Sequence, residues 1–127
     1  DQGVVGIFMN MLMRHDEIIV NGSLERFRDL VNVADVVTAF SKCLSADPSN
    51  QVINVGTGVK TTIGELIRIL AKLMNKSEGL SVQQGVDTPG DMLGCYADTS
   101  KAERYFGFTA STPLSVGLGN MYDWVKS

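Results

Sequence analysis

Arg26-Phe27-Arg28-Asp29 is the segment of this chain best equipped for binding chemistry. An arginine on a strand presents a planar fork of N–H donors that matches two phosphate oxygens, and its charge does not titrate. Two roles stay open for Arg28, a phosphate ligand or the cation of a surface ion pair with Asp29 or Glu25, while Arg26 reads as a surface residue. Gly56-Thr57-Gly58 lies between an apolar run and a helix-like run, where glycines can admit a pyrophosphate to a helix N-terminus. The dinucleotide turn needs a third glycine at position 61 and an acid about 20 residues further on. The chain has Thr61 and Glu78, which predicts a tight strand-to-helix turn along the edge of some other ligand. Tyr122 and Lys126 are spaced so that the lysine could lower the tyrosine pKa for proton exchange with a hydroxyl. The pair sits one residue from the end with no cofactor fold before it. Tyr122 is therefore expected to pack its helix and Lys126 to be solvated, so no catalytic residue is assigned.

A metal site is not expected. Cys43 and Cys95 are far apart, His15 is the single histidine, and neither cysteine has a second ligand at zinc spacing. Cys43 falls on an apolar helical stripe, which predicts a packing role, and free cysteines suit a reducing cytoplasm. Eleven Lys and Arg against 14 Asp and Glu give a net charge of −3 without a basic run. Binding to nucleic acid or an anionic membrane is thereby disfavoured, and a small molecule or a protein becomes the expected partner. No stretch approaches the roughly 20 apolar residues of a membrane span. The first residues, Asp1-Gln2-Gly3, lead straight into an apolar helix, which points to a start inside a larger protein.

The elements that must position these groups follow from periodicity. Residues 3–14 are apolar nearly all round, predicting a helix covered on several sides, with Met9, Met11 and Met13 as adaptable filling. Ile18 to Val20 read as a strand, Asn21-Gly22 as a turn, and Phe27 to Val33 as a second strand with Phe27, Asp29, Val31 and Val33 on one face. Asp35 is the expected N-cap of a core-facing helix carrying Val36, Ala39, Phe40, Cys43 and Leu44 and ending before Pro48. Gln51 to Val55 read as a strand, and Thr62 with Glu65 as the capping box of a helix running to about Met74. Leu80 to Gln83 and Gly94 to Ala97 read as strands around a Pro89-Gly90 turn. Asp98 or Thr99 opens a helix that stops at Gly107, and Thr112-Pro113 opens a last helix with Leu114, Leu118, Met121, Tyr122 and Val125 on one side. The alternation predicts α/β, one unit over residues 1–127, with too few strands for a complete doubly wound sheet.

Four blocks in order, VNGSLERFRDLVNVADVV, VINVGTGVKTTIGEL, TPGDMLGCYADTSKAERYFGF and LSVGLGNMYDW, resemble the C-terminal part of the extended short-chain dehydrogenase/reductase family, UDP-glucose 4-epimerases and related nucleotide-sugar epimerases and dehydratases. The resemblance implies the substrate-binding portion of an extended Rossmann-type enzyme, with the N-terminal domain that binds NAD and supplies the catalytic residues absent. It implies a cytoplasmic, NAD-dependent enzyme acting at C4 of a UDP-sugar, homodimeric at full length. A 4,6-dehydratase of the same family and a non-catalytic NDP-sugar-binding protein are the alternatives.

Residue by residue, the resemblance places Arg28 on the diphosphate and Asp91 on the ribose. Ile19, Val20 and Asn21 fall on the strand and turn that pass the base, and Val59 on an apolar wall after the glycine turn. Gln2 falls near an amide that touches a phosphate. Leu30 stands where an aromatic is frequent, and Thr88 stands where the family has its second phosphate-binding arginine. Lys60, just past the glycine turn, is a candidate to take part of that arginine's role.

Overall fold

The computed structural model describes residues 3–15, 17–46, 50–86, 90 and 92–127. Its elements are α1 (Val4–Arg14), β1 (Glu17–Val20), β2 (Phe27–Arg28), α2 (Val33–Ser45), β3 (Thr61–Thr62), α3 (Ile63–Leu73), β4 (Ser81–Gln84), α4 (Ser100–Phe106) and α5 (Leu114–Lys126). The α/β class expected from the alternation is present. The strands form two small pieces, β1 with β4 in parallel and β2 with β3 antiparallel. Among the described residues no helix is long and apolar enough to cross a membrane.

The main core lies where α1, β1, α3 and α5 meet. Strand alternation sends Ile18 and Val20 of β1 inward while Glu17 and Ile19 stay outside. They meet Phe8, Met9 and Leu12 of α1, Ile63, Leu66, Ile67 and Leu70 of α3, and Leu118 of α5. The capping box at the start of α3 forms as expected. Thr62 Oγ1 accepts from the Glu65 amide at 3.1 Å, and the Thr62 amide donates to Glu65 Oε2 at 2.8 Å, so two of the orphan amides at that helix start are satisfied reciprocally. The predicted α5 stripe is also present, with Leu114, Met121, Tyr122 and Val125 packed beside Leu118. A smaller core joins α2 to α4 through Ala39, Ala102 and Phe108. Gly107 ends α4 in the left-handed region at φ 59°, the conformation that turns Phe108 back into that core.

Several expectations are corrected. The second strand is two residues long instead of seven, because only Phe27 and Arg28 find ladder partners in β3, and Val33 already belongs to α2. Asn32, not Asp35, caps α2, its side chain accepting from the Ala34 amide at 2.9 Å. Asp35 is buried and turned to better donors, accepting from the Ser111 and Thr112 amides at 3.2 and 3.0 Å and from the Ser111 hydroxyl at 3.3 Å. The expected α2 stripe faces the core only in part: Ala39 is buried and Val36 and Cys43 are half-buried, while Phe40 is 69% and Leu44 90% exposed. The residues expected as strand 51–55 have no ladder partner among the described residues, although Ile53 and Val55 pack on the smaller core. Residues 94–97 contribute a single bridge, Gly94 to Phe27, instead of a strand. The first helix is covered mainly on one face, leaving Ile7 and Met13 exposed. Of the turn expected at 89–90, Pro89 lies outside the described residues.

Asp35 ties the start of α2 to the start of α5, and its ionisation can be read in solution. Burial raises its pKa, but the donors of Ser111 and Thr112 more than offset that and hold it below the ordinary 3.8. A lowered folded-state pKa gives stability that is complete above the unfolded value and lost as pH falls through the folded one. Asp35→Asn turns one of the two acceptor oxygens into a donor facing donors, and should cost about 1–3 kcal/mol at neutral pH. Thermal melts from pH 7 downward should show the gap between wild type and Asp35→Asn narrowing only below about pH 3.8; a gap independent of pH would contradict an ionised Asp35.

Candidate functional site

The β2–β3 ladder has two residue pairs, Phe27 with Thr62 and Arg28 with Thr61. On the other side of β2 the Phe27 amide donates to the Leu93 carbonyl at 3.0 Å. So short a ladder needs a further anchor, and Asp29, directly after it, is that anchor. Its carboxylate accepts from the Thr57 amide at 2.9 and 3.1 Å, the Thr57 hydroxyl at 2.5 Å, the Gly58 amide at 3.0 Å and the Ala97 amide at 3.1 Å. Partial burial raises the Asp29 pKa, but the bonds from Thr57, Ala97 and Gly58 prevail and hold it below 3.8. The group is an ionised acceptor at neutral pH.

These bonds decide what the glycine turn can hold. Its amides, which could cradle a phosphate, already hold an internal carboxylate. A Cβ on Gly56 would lie 2.6 Å from Asp29 Oδ2 and 2.7 Å from the Ala97 side chain, so glycine is required there by the approach of the protein's own groups. The turn does not fit a dinucleotide pyrophosphate, in keeping with the missing third glycine. Sequence reasoning took Asp29 for an ion-pair partner and missed this role. The available signal was the turn itself, whose exposed amides need an acceptor.

Arg28, Asp29 and Val31 form one wall of an open groove of about 340 Å³, and Asn54 to Gly56 and Cys95 to Ala97 form the others. Arg28 is half-buried, and its Nη1 donates to the Phe27 carbonyl at 2.8 Å, so the guanidinium is oriented by the backbone of its own strand. Arg26 is used differently: its Nε donates to the Ser23 carbonyl at 3.2 Å and its Nη2 to the Asn21 carbonyl, which braces the turn after β1.

Among the described residues, the other expected contacts do not line this groove. Val20 is 1% exposed and fills the main core, so its side chain is not available to a ligand. Ile19 is exposed on the outer face of β1. Asn21 is exposed at the end of β1, its side chain lying against Gly85. Val59 is exposed just after the turn, its amide donating to Thr57 Oγ1 at 3.1 Å. Gln2, Thr88 and Asp91 lie outside the described residues. The register places Thr61 beside Arg28 and Thr62 beside Phe27, so strand alternation carries Lys60 to the face that bears Phe27. Its Nζ sits 5.0 Å from the Phe27 ring centre and 4.9 Å from that of Tyr96, a cation–π arrangement. Lys60 is thus a cation held between two rings, one of which, Tyr96, lines the Arg28 groove.

A larger apolar groove of about 630 Å³ runs between residues 29–33 and α5 and adjoins one of about 520 Å³ against α1. Val5, Leu30 and Met121 line both. Tyr122 packs on the main core with Lys126 Nζ 4.4 Å above its ring, the packing role expected from the sequence. Among the described residues no cluster of His, Cys, Asp and Glu could hold a metal ion.

No protein-family model matches the chain. A putative UDP-glucose 4-epimerase of Methanocaldococcus jannaschii is 28% identical over 129 aligned positions, which take in all of this chain and 40% of that protein. The crystal structure of a Thermotoga maritima UDP-glucose 4-epimerase with UDP-glucose superposes with a TM-score of 0.88 at 29% identity, over 98% of this chain and 39% of that one. MoeE5, solved in complex with UDP-glucose and NAD, gives 0.82 at 28% identity, over 98% and 41%. The chain thus spans about 40% of the length of the relatives it matches. It is a distant homologue of the UDP-glucose 4-epimerases and their nucleotide-sugar epimerase and dehydratase relatives.

Proposed function

We propose that these 127 residues are the C-terminal, substrate-binding portion of an NAD-dependent enzyme that epimerises a UDP-sugar at C4. The observation carrying this reading is end-to-end similarity to about two fifths of an epimerase solved with UDP-glucose. Arg28 fits the role of diphosphate ligand. It lines a groove open to solvent, its head is oriented by the Phe27 carbonyl, and a guanidinium fork is the side chain best matched to paired phosphate oxygens. Val59 offers an exposed apolar contact beside the glycine turn, and Asp91 and Gln2 are carried as ligands by the resemblance alone.

The cofactor is held mainly by residues outside this chain in this reading, which the closure of the Gly56-Thr57-Gly58 turn by Asp29 supports. The work of this portion is to bind and orient: the guanidinium neutralises the diphosphate and fixes where the sugar lies. The isolated 127-residue chain should accordingly leave C4 of UDP-glucose unchanged in the presence of NAD. Turnover by the purified chain that is lost in Tyr122→Phe would overturn the division of labour.

A charge-assisted contact contributes about 1.5–3 kcal/mol, so Arg28→Ala in the full-length protein should weaken UDP binding by roughly ten- to a hundredfold or more. Arg28→Lys should fall between the two, because it keeps the charge and loses the fork. Lys60→Ala should change the affinity less than about twofold, its ammonium being engaged by the Phe27 and Tyr96 rings. Thr88→Arg should strengthen UDP binding if position 88 faces the phosphates. Calorimetry with UDP reads all four, and unchanged affinity in Arg28→Ala would remove Arg28 from the site.

A further inference from the structure

We propose that Asp29 is the positioning residue of the Arg28 groove: one carboxylate fixes the three segments that form its walls and so sets where the guanidinium points. This inference rests on the substrate-binding reading above and assigns the residue on which that site depends. Each wall of the groove contains a residue next to one of the Asp29 contacts. Arg28 precedes Asp29, Gly56 precedes Thr57 and Tyr96 precedes Ala97. The Thr57 and Gly58 amides and the Ala97 amide all converge on the same two oxygens. Alternative anchors are few: β2 has two ladder pairs, and residues 94–97 make one bridge to it.

The link to Arg28 is direct. Its Nη1 donates to the Phe27 carbonyl, which ties the guanidinium to the peptide between Phe27 and Arg28. That peptide is held before it by the Phe27 amide bond to Leu93 and after it by the Asp29 carboxylate. A neutral side chain at 29 would leave three amides competing for weaker acceptors, and charge-assisted acceptance is the stronger kind. Asp29 touches no substrate in this scheme. It acts through Arg28, and its loss should fall on recognition of the phosphates more than on recognition of the nucleoside.

The test is calorimetry of the full-length protein with UDP and, separately, with uridine, which has no phosphates. Asp29→Asn is expected to lose at least tenfold in UDP affinity while uridine affinity changes less than about threefold. Because Asp29→Asn could fail to fold, Thr57→Val, which removes one hydroxyl donor to Asp29, is measured beside Thr57→Ser, which keeps it. A smaller, phosphate-selective loss is expected in Thr57→Val and recovery in Thr57→Ser. Equal losses of UDP and uridine affinity in these variants would reduce Asp29 to a general stabiliser and overturn the proposal, as would wild-type UDP affinity in a folded Asp29→Asn. If Arg28→Ala loses UDP affinity and Asp29→Asn and Thr57→Val do not, only the positioning role fails. If the wild type binds no UDP, the substrate-binding reading fails and the positioning role with it.

Discussion

The polar half of this structure depends on how a buried-edge carboxylate is satisfied. Asp29 gathers donors from residues 28 and 68 positions further along the chain, and every surface of the candidate site is adjacent to one of them. Burial by itself would favour the protonated acid, and the Thr57 hydroxyl together with the Thr57, Ala97 and Gly58 amides outweighs it in favour of the anion. Asp35 repeats the arrangement at the other end of the 29–35 segment, with donors from Ser111 and Thr112. Two ionised side chains six residues apart thus pin one stretch of chain to three others, where regular strand pairing would supply the bonds in a larger sheet.

Local signals were legible in the sequence, and long-range ones were not. The α3 capping box, the Gly107 stop and the apolar stripe of α5 depend on neighbours within four residues or on helical periodicity, and all three are present. The length of β2 and the state of residues 51–55 depend on whether a distant segment offers free backbone groups, which periodicity does not report. The α2 cap was misread because Asn32 and Asp35 are comparable caps by type. What separates them is the pull of the Ser111 and Thr112 amides, 76 and 77 residues away.

The candidate site was legible to the same degree. Chemical type puts Arg28 forward with two roles open, phosphate ligand or ion-pair cation, and the resemblance alone favours the first. The place of Lys60 was decided by register: one step along β3 separates the face of Arg28 from the face of Phe27. Two aromatic rings then make that opposite face a favourable resting place for an ammonium group. Similarity to the 4-epimerases, which spans the whole chain, could not be weighed against any single short motif, because none of the blocks is specific alone.

The parallel pairing of β1 with β4 has a consequence for how the chain acquires its fold. Glu17 meets Ser81 and Val20 meets Gln84, so the first strand waits for the last, with two helices and the whole β2–β3 unit between them. Loop-closure entropy must be overcome before such a contact contributes anything. During synthesis, Ile18 and Val20 emerge long before their strand partners, and the apolar faces of α1 and then α3, which pack on them in the core, are made before β4. The local order of the chain, helix first and strand next, therefore provides early cover for a strand whose pairing comes late.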